Sequence, residues 1–117
     1  MKIPETGTLV RIFIGESDLY NGVPLYESIV KYARKINIAG ATVIRGIMGF
    51  GATSRIHSSK ILRLSEDLPI VIELVDSGEK IKKLMPFLDE HVKEGLITIE
   101  ELKVIKYRHS DKKGGLV

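Results

Sequence analysis

Two strand-length apolar runs constrain the fold of this 117-residue chain more than any other feature. TLVRIFIG at Thr8–Gly15 and LPIVIELV at Leu68–Val75 are dense in β-branched and aromatic residues, which favour strands. Apolar and polar residues do not alternate in either run, so both faces of each strand are apolar. Such strands are typical of sheets that are covered on both faces. The sequence therefore predicts a sheet with both faces buried.

The segments around these runs predict the order β-α-β-β-α-β. Pro24 suits the first turn of a helix, and Asn37 and Gly40 offer its end. The second strand is ATVIRGIM, Ala41–Met48. This order is that of a ferredoxin-like sandwich, an α+β fold with two helices and a four-stranded sheet. The apolar stripe of the first helix consists of Leu25, Ile29, Ala33 and Ile36.

The second half of the chain supplies the remaining helix and strand. Asp76 and Glu79 have the spacing of a capping box, which predicts the start of the second helix. Pro86 predicts a kink or an interruption in that helix, and Gly95 predicts its end. Leu96–Tyr107 then provides the last strand, or strand pair, with a bulge or a bend where its alternation slips phase. The residues at the phase slip are Glu100 and Glu101.

Two helices cover one face of a four-stranded sheet, so the other face needs cover from outside the chain. A second copy of the chain is the expected cover, because most soluble oligomers are homo-oligomers. A monomer with a partly bare apolar face is the alternative. Glu73 lies inside an apolar strand, where an outward position at an edge is the simplest expectation. An intersubunit ion pair and a site carboxylate are the other interpretations.

The connection between the two middle strands is long and cationic. It spans about residues 49–64 and contains most of GIMGFGATSRIHSSK, in which three glycines fall within six residues. Loops of this length in small domains are usually functional or disordered. No acidic residue occurs between Glu27 and Glu66, and this interval holds seven of the 18 basic residues. Such a block attracts phosphate, nucleic acid or an acidic partner, although a mobile hairpin on a solvated surface is the alternative.

Several function classes are disfavoured by composition. The chain has no cysteine, which excludes disulfides and thiolate chemistry. It has no membrane-length apolar run and no secretory-type N-terminal segment, so a cytoplasmic location is expected. The three histidines do not have metal-ligand spacing, and Glu16, Ser17 and Asp18 suit a turn rather than a catalytic site. We therefore expect neither an enzyme nor a metal site. The histidines are His57, His91 and His109.

An RNA-recognition motif shares this element order and is also disfavoured. Such a domain stacks bases on aromatic rings of its open sheet face. Phe13 is the one aromatic residue of the first strand, and the Leu68–Val75 strand has none. Specific nucleic-acid binding is therefore not expected.

Five segments together resemble the PII-like signalling proteins grouped as domain of unknown function 190. The resemblance extends over about Leu9–Tyr107. It implies one PII-like domain over residues 1–117, with a core at about 8–108, a loop at about 49–64 and a tail at about 109–117. It also implies a homotrimer whose open sheet faces pack in its centre. The segments are RIFIGESD (Arg11–Asp18), PLYESIV (Pro24–Val30), AGATVIRGIMGFG (Ala39–Gly51), SRIH (Ser54–His57) and LRLSEDLPIVIELVD (Leu62–Asp76).

The same resemblance implies a regulatory protein that binds an adenine nucleotide (ATP, ADP or AMP) in clefts between subunits. Mg²⁺ is an optional companion of the phosphates, and no covalent cofactor is implied. The loop is implied to contact a protein partner, for which a membrane transporter or channel is one candidate class. The implied nucleotide-binding residues are Gly49, Phe50, Gly51, Arg55, Gly95, Leu96, Lys106 and Arg108. The implied partner-binding residues of the loop are Ser54, His57 and Lys60.

Two departures from the PII pattern limit what the resemblance implies. Thr53 stands where PII proteins have the Gln that couples the nucleotide to 2-oxoglutarate, which argues against sensing of that metabolite. Lys93–Leu96 (KEGL) replaces a glycine-rich, lysine-bearing turn, which weakens the case for tight triphosphate binding. The alternative function is a protein-interaction module that binds no small ligand.

Overall fold

Four long strands and two helices follow one another in the predicted order. A computed structural model describes residues 5–51, 57–58 and 67–108, with residues 57–58 described by their backbone alone. Within this part of the chain, no helix is long and apolar enough to cross a membrane. The elements are β1 (Thr6–Gly15), β2 (Leu19–Tyr20), β3 (Val23–Pro24), α1 (Leu25–Lys35), β4 (Gly40–Arg45), β5 (Met48–Gly49), β6 (His57–Ser58), β7 (Pro69–Asp76), α2 (Gly78–His91) and β8 (Leu96–Lys103).

The long strands form one antiparallel sheet in the order β4-β7-β1-β8. The two apolar runs of the sequence are therefore the two central strands. Side chains alternate between two faces along each strand. Along β7 every even-numbered residue is buried, while every odd-numbered residue is half-buried. The fold is thus the ferredoxin-like α+β sandwich that the sequence predicts.

Both helices contribute to one core on the even-numbered face of the sheet. The predicted stripe of α1 is buried at Leu25, Ile29 and Ala33. Helix α2 buries Ile81, Leu84 and Leu88 against the same strands. No helix of the described chain covers the other face, which we call the open face. The core residues that the strands supply are Val10, Ile12, Ile14, Ile70, Ile72 and Leu74.

The start of α2 differs from the predicted capping box. Ser77 is the N-cap, and its hydroxyl accepts a hydrogen bond from the Lys80 amide at 3.3 Å. Asp76 is instead the last residue of β7, where its carboxylate accepts hydrogen bonds from the amides of Ser77 (2.6 Å) and Ala39 (2.8 Å). The pairing of β7 with β1 extends to Asp76, so the cap lies one residue later than the sequence spacing indicates.

Three further predictions about regular structure are wrong. Helix α2 continues through Pro86, which is exposed, so the predicted alternative of an interruption is wrong, while a kink at Pro86 stays a prediction. The helix ends at His91 rather than at Gly95. The pairing of β8 with β1 is continuous, without a bulge at Glu100 and Glu101. Because both glutamates are exposed on an edge strand, two consecutive polar residues fit a regular strand there without a bulge.

The second predicted strand and Glu73 also need correction. Strand β4 ends at Arg45, and the chain then forms a short separate ladder in which Met48–Gly49 pairs with His57–Ser58. The predicted loop therefore contains a small hairpin at its base. Glu73 lies in the central strand β7 rather than at an edge, and its side chain binds Arg11 on the open face.

Candidate functional site

The predicted nucleotide-binding residues that the structure describes lie at two opposite ends of the sheet. Leu96 pairs with Phe13 near the end of β1, and Lys103 pairs with Thr6 at its start. These two pairs are separated by seven strand residues, which is roughly 23 Å at about 3.3 Å per residue. Gly49, Phe50, Gly51, Gly95 and Leu96 belong to the first end, which we call the loop end. Lys106 and Arg108 follow β8 at the other end, which we call the tail end.

At the loop end, the chain leaves the sheet in close contact with Pro69. The Gly46 amide donates a hydrogen bond to the Pro69 carbonyl at 2.7 Å. A Cβ added at Gly46 would lie 2.9 Å from Pro69 Cγ, and one at Gly49 would lie 3.2 Å from the same atom. These two glycines therefore allow the loop base to cross the first residue of β7. Phe50 follows with 71% of its surface exposed, and Gly51 has no atom near its Cβ position.

Gly95 lies at the same loop end, next to β1 rather than next to β7. Its φ is +147°, and an added Cβ would lie 2.6 Å from the Phe13 carbonyl oxygen. A side chain is excluded at this position by both conformation and space. The turn before β8 therefore lies directly against the end of β1, and it places Leu96 on the open face beside Phe13.

At the tail end, the segment after β8 reaches across to the start of β4. The Tyr107 hydroxyl donates a hydrogen bond to the Ala39 carbonyl at 2.7 Å, and the buried Asp76 carboxylate accepts one from the Ala39 amide. Ala39 is thus fixed through both of its backbone polar groups. Lys106 and Arg108 flank Tyr107 and are exposed, so both cations project from this end.

A shallow groove of about 410 Å³ adjoins this contact. It runs between the last turns of α1 and the start of β4, and Arg34 supplies a cation to it. The Lys80 ammonium donates a hydrogen bond to the Asn37 carbonyl at 2.8 Å, which adds positive charge nearby. The groove and the two tail cations make this end suitable for an anionic ligand. The lining residues are Val30, Ala33, Arg34, Asn37, Ile38, Ala39, Gly40 and Ala41.

Sequence reasoning missed this groove. It used Asn37 and Gly40 as signals for the end of a helix and assigned no ligand role to them. Asn37 has a positive φ of 62°, so it turns the chain sharply between α1 and β4. A signal was nevertheless present, because Arg34 belongs to the cationic interval and directly precedes this turn.

The acidic turn after β1 has structural partners. The Asp18 carboxylate accepts a hydrogen bond from the Gly15 amide at 3.0 Å, and the Ser17 amide donates one to Asp67 at 2.8 Å. Arg45 donates to the Glu16 carboxylate, so one cation of the basic interval is already paired. Within the described residues, no cluster of three potential metal ligands occurs. The turn chemistry expected of this segment is confirmed.

Some predicted residues lie outside the part of the chain that the structure describes. These residues are Thr53, Ser54, Arg55, Lys60 and His109. His57 is described by its backbone, which pairs with Gly49 in the small hairpin. His91 is half-buried in a stack with Phe87 and Tyr20, whose ring centroids lie 3.7 and 3.9 Å from its own.

Two pKa values are shifted in the described chain, and both shifts arise from named contacts. The hydrogen bond to Glu73 is the largest cause that raises the pKa of the Arg11 guanidinium, so this group stays charged. Burial, followed by the charge and hydrogen bond of Glu90, raises the pKa of Tyr20. Both side chains lie away from the groove and outside its lining.

The chain matches a family model over most of its length. Residues 7–104 match DUF190, which is described as an uncharacterised ACR family. A UPF0166 protein of Aquifex aeolicus (strain VF5) is 39% identical over 100 residues, which cover 83% of this chain and 91% of the relative. A UPF0166 protein of Methanocaldococcus jannaschii is 38% identical over 99 residues, which cover 84% and 91%.

The fold is similar to solved structures of PII-like proteins. CPII of Thiomonas intermedia K12, bound to ADP, AMP and bicarbonate, superposes with a TM-score of 0.63 at 15% identity, covering 86% of this chain and 90% of CPII. A PII-like signalling protein of Thermus thermophilus gives a TM-score of 0.61 at 20% identity, with the same coverage. The ATP complex of B. subtilis GlnK gives 0.54 at 16% identity, covering 86% and 85%.

Proposed function

Because this chain belongs to the DUF190 family and has a PII-like fold, we propose that it is a regulatory protein that binds an adenine nucleotide between subunits of a homotrimer. The ligand class is carried over from the solved neighbours: CPII binds ADP and AMP, and GlnK binds ATP. The proposed nucleotide is therefore ADP, ATP or AMP. The proposal assigns no catalytic role to the chain.

The observation that carries this proposal is the separation of the candidate residues into two half-sites. The loop end offers backbone amides at Gly49–Gly51 and the turn at Gly95. The tail end offers Arg34, which lines the groove, and the exposed cations Lys106 and Arg108. Since roughly 23 Å of sheet lies between the two ends, one chain cannot bring both to one ligand. A complete site therefore needs the loop end of one copy to face the tail end of another.

The chemistry of each half-site suits a different part of a nucleotide. Exposed glycine amides bind phosphate oxygens without obstruction by a side chain. Arginine and lysine neutralise phosphate charge, and arginine does so with a planar, bidentate geometry. Lys106 and Arg108 flank Tyr107, whose hydroxyl is bonded to Ala39 in the groove lining, and this contact supports their proposed role. Arg55, together with Mg²⁺ where triphosphate binds, completes the proposed phosphate contacts.

Regulation is proposed to operate through the loop at about residues 49–64. A nucleotide that contacts the loop base stabilises one loop conformation and thereby changes the surface that a partner meets. Ser54, His57 and Lys60 are the proposed contact residues. The proposed partner is a protein, with a membrane transporter or channel as the candidate class, and the proposed location is the cytoplasm.

The test combines nucleotide binding with a measurement of mass. Purified protein is titrated with ADP, ATP and AMP by calorimetry, with and without Mg²⁺, while light scattering records the oligomer. The variant Lys106→Ala/Arg108→Ala should lose about tenfold or more in affinity and keep its mass, because two charge-assisted contacts are removed. Lys82→Ala/Lys83→Ala is the matched control: these exposed lysines of α2 lie on no half-site, so its affinity should equal that of the wild type.

The alternative is an interaction module without a small ligand. It predicts no heat with any nucleotide at millimolar concentration and no difference between the two double variants. A 2-oxoglutarate titration in the presence of nucleotide separately tests the consequence of Thr53, which predicts no added effect.

A further inference from the structure

The open face of the sheet is organised in rows that cross all four strands. The register places Ile44, Val71, Phe13 and Leu96 side by side, one from each strand. Three of these four are exposed, at 46% for Ile44, 37% for Phe13 and 55% for Leu96. This row is a continuous apolar band at the loop end of the face. Burying apolar area of this kind against another surface is favourable, because it removes that area from water.

The neighbouring row is polar. It consists of Thr42, Glu73, Arg11 and Thr98 in the same strand order. The Arg11 guanidinium binds Glu73 through Nε at 2.9 Å and Glu100, from the next row, through Nη1 at 3.2 Å. One cation is therefore held between two carboxylates in the middle of the face.

This ion network contains every charged side chain that the four strands place on the open face. The strands carry seven charged residues, and the register directs the other four to the helix face. Burying the face would desolvate the network, and buried charges need partners that satisfy their hydrogen bonds. The four charged residues on the helix face are Arg45, Asp76, Glu101 and Lys103.

The network has hydrogen-bond donors on its cation and acceptors on its carboxylates that the intrachain contacts do not use. A guanidinium has five N–H donors, and the intrachain contacts of Arg11 use two of them. The Glu100 side chain is 56% exposed and accepts its one bond at 3.2 Å, which is long for a charge-assisted pair. Each copy thus presents a cation with free donors beside a carboxylate with free acceptor positions. The network is self-complementary.

We propose that Arg11 of one copy binds Glu100 of the next copy when open faces meet, and that Glu73 positions Arg11 for this contact. The occupant of the face is a second copy of this chain, because the two complementary groups are present on the same surface. The inference rests on the proposed homotrimer and deepens it by naming the residues that select the partner. Cyclic symmetry repeats the contact at each interface.

Charge reversal tests the contact. The variants Arg11→Glu and Glu100→Arg should each associate about a hundredfold or more weakly than the wild type in sedimentation equilibrium, because like charges then meet in a desolvated interface. Glu101→Arg is the matched control, since the neighbouring residue of the same strand faces the helix side. It should associate as the wild type does. Circular dichroism checks that each variant is folded.

Mixing the two reversed variants distinguishes a contact between copies from a contact within one chain. The acidic side chain at position 11 of the first variant then meets the basic side chain at position 100 of the second. Native mass spectrometry should therefore find mixed trimers above their statistical share. A mixture of Arg11→Glu with Glu101→Arg should show no such enrichment. A purely intrachain network would give no enrichment of mixed trimers in either mixture, and that result would overturn the inference.

The outcomes also separate this inference from the proposed function. A wild-type protein that is monomeric at all concentrations would refute the homotrimer itself. Assembly that is unaffected by either reversal would refute the Arg11–Glu100 contact and leave the homotrimer and its nucleotide site intact. Preferential binding of a different protein to the open face would likewise overturn the choice of a second copy.

Discussion

Asp76 connects the stability of the fold to the tail half-site. Its side chain is 2% exposed, and its carboxylate accepts hydrogen bonds from the amides of Ala39 and Ser77. Replacement by alanine leaves both amides without this acceptor. A fully buried donor left unsatisfied costs about 1–3 kcal/mol; both amides belong to half-buried residues, so the Asp76→Ala variant should lose roughly 2–4 kcal/mol in free energy of unfolding, below the sum for two fully buried donors. The loss should extend to ligand binding, because Ala39 lines the groove.

Urea denaturation at one fixed protein concentration measures this loss. With a slope of about 1.5 kcal/mol per molar urea, the midpoint should fall by roughly 1–3 M. Asp76→Asn should lose less, because the amide oxygen still accepts one of the two bonds. Asp89→Ala, an exposed change in α2, is the control and should stay within about 0.5 kcal/mol of the wild type. A midpoint for Asp76→Ala that equals this control would refute the reasoning.

Three further substitutions test single contacts. Gly95→Ala should lower the free energy of unfolding by about 1–3 kcal/mol in the same urea assay, because its φ of +147° and the nearby Phe13 carbonyl oppose a side chain, whereas Gly51→Ala has open space and should be neutral. Tyr107→Phe removes the hydrogen bond to Ala39 and should cost about 1 kcal/mol and weaken nucleotide binding; unchanged affinity would contradict the proposed role of the tail. Glu90→Gln should lower the pKa of Tyr20 while burial keeps it above its ordinary value, so tyrosinate absorbance should develop at lower pH than in the wild type, and a Glu79→Gln control should not shift it.

The central part of the fold was predictable because its signals are local. The apolar runs that became β1 and β7 combine β-branched residues with a strand-like length, and the stripe of α1 repeats at helical spacing. The open face was predictable because two helices can cover only one face of a four-stranded sheet. These features depend on residues within one element, so sequence patterns contain them.

The errors concern features that depend on partners far away in the chain. The sequence spacing assigns Asp76 to a cap, but its carboxylate also binds an amide 37 residues away. The bulge at Glu100 was inferred from polarity alone, whereas the edge position of β8 and the contact with Arg11 explain the phase slip. The position of the tail segment beside the start of β4 depends on the bond between Tyr107 and Ala39, which are 68 residues apart. Local sequence patterns cannot predict contacts between residues so far apart in the chain.

The antiparallel register explains why binding and assembly would be coupled in this protein. Strand β8 begins at the loop end and finishes at the tail end, so the distance between the half-sites is fixed by the length of the strand. No side-chain rearrangement within one chain can remove roughly 23 Å of separation. On the proposed arrangement, a nucleotide contacts two copies at once and stabilises the assembled state by mass action. By linkage, weakening the Arg11–Glu100 contact would lower nucleotide affinity although neither residue touches the ligand.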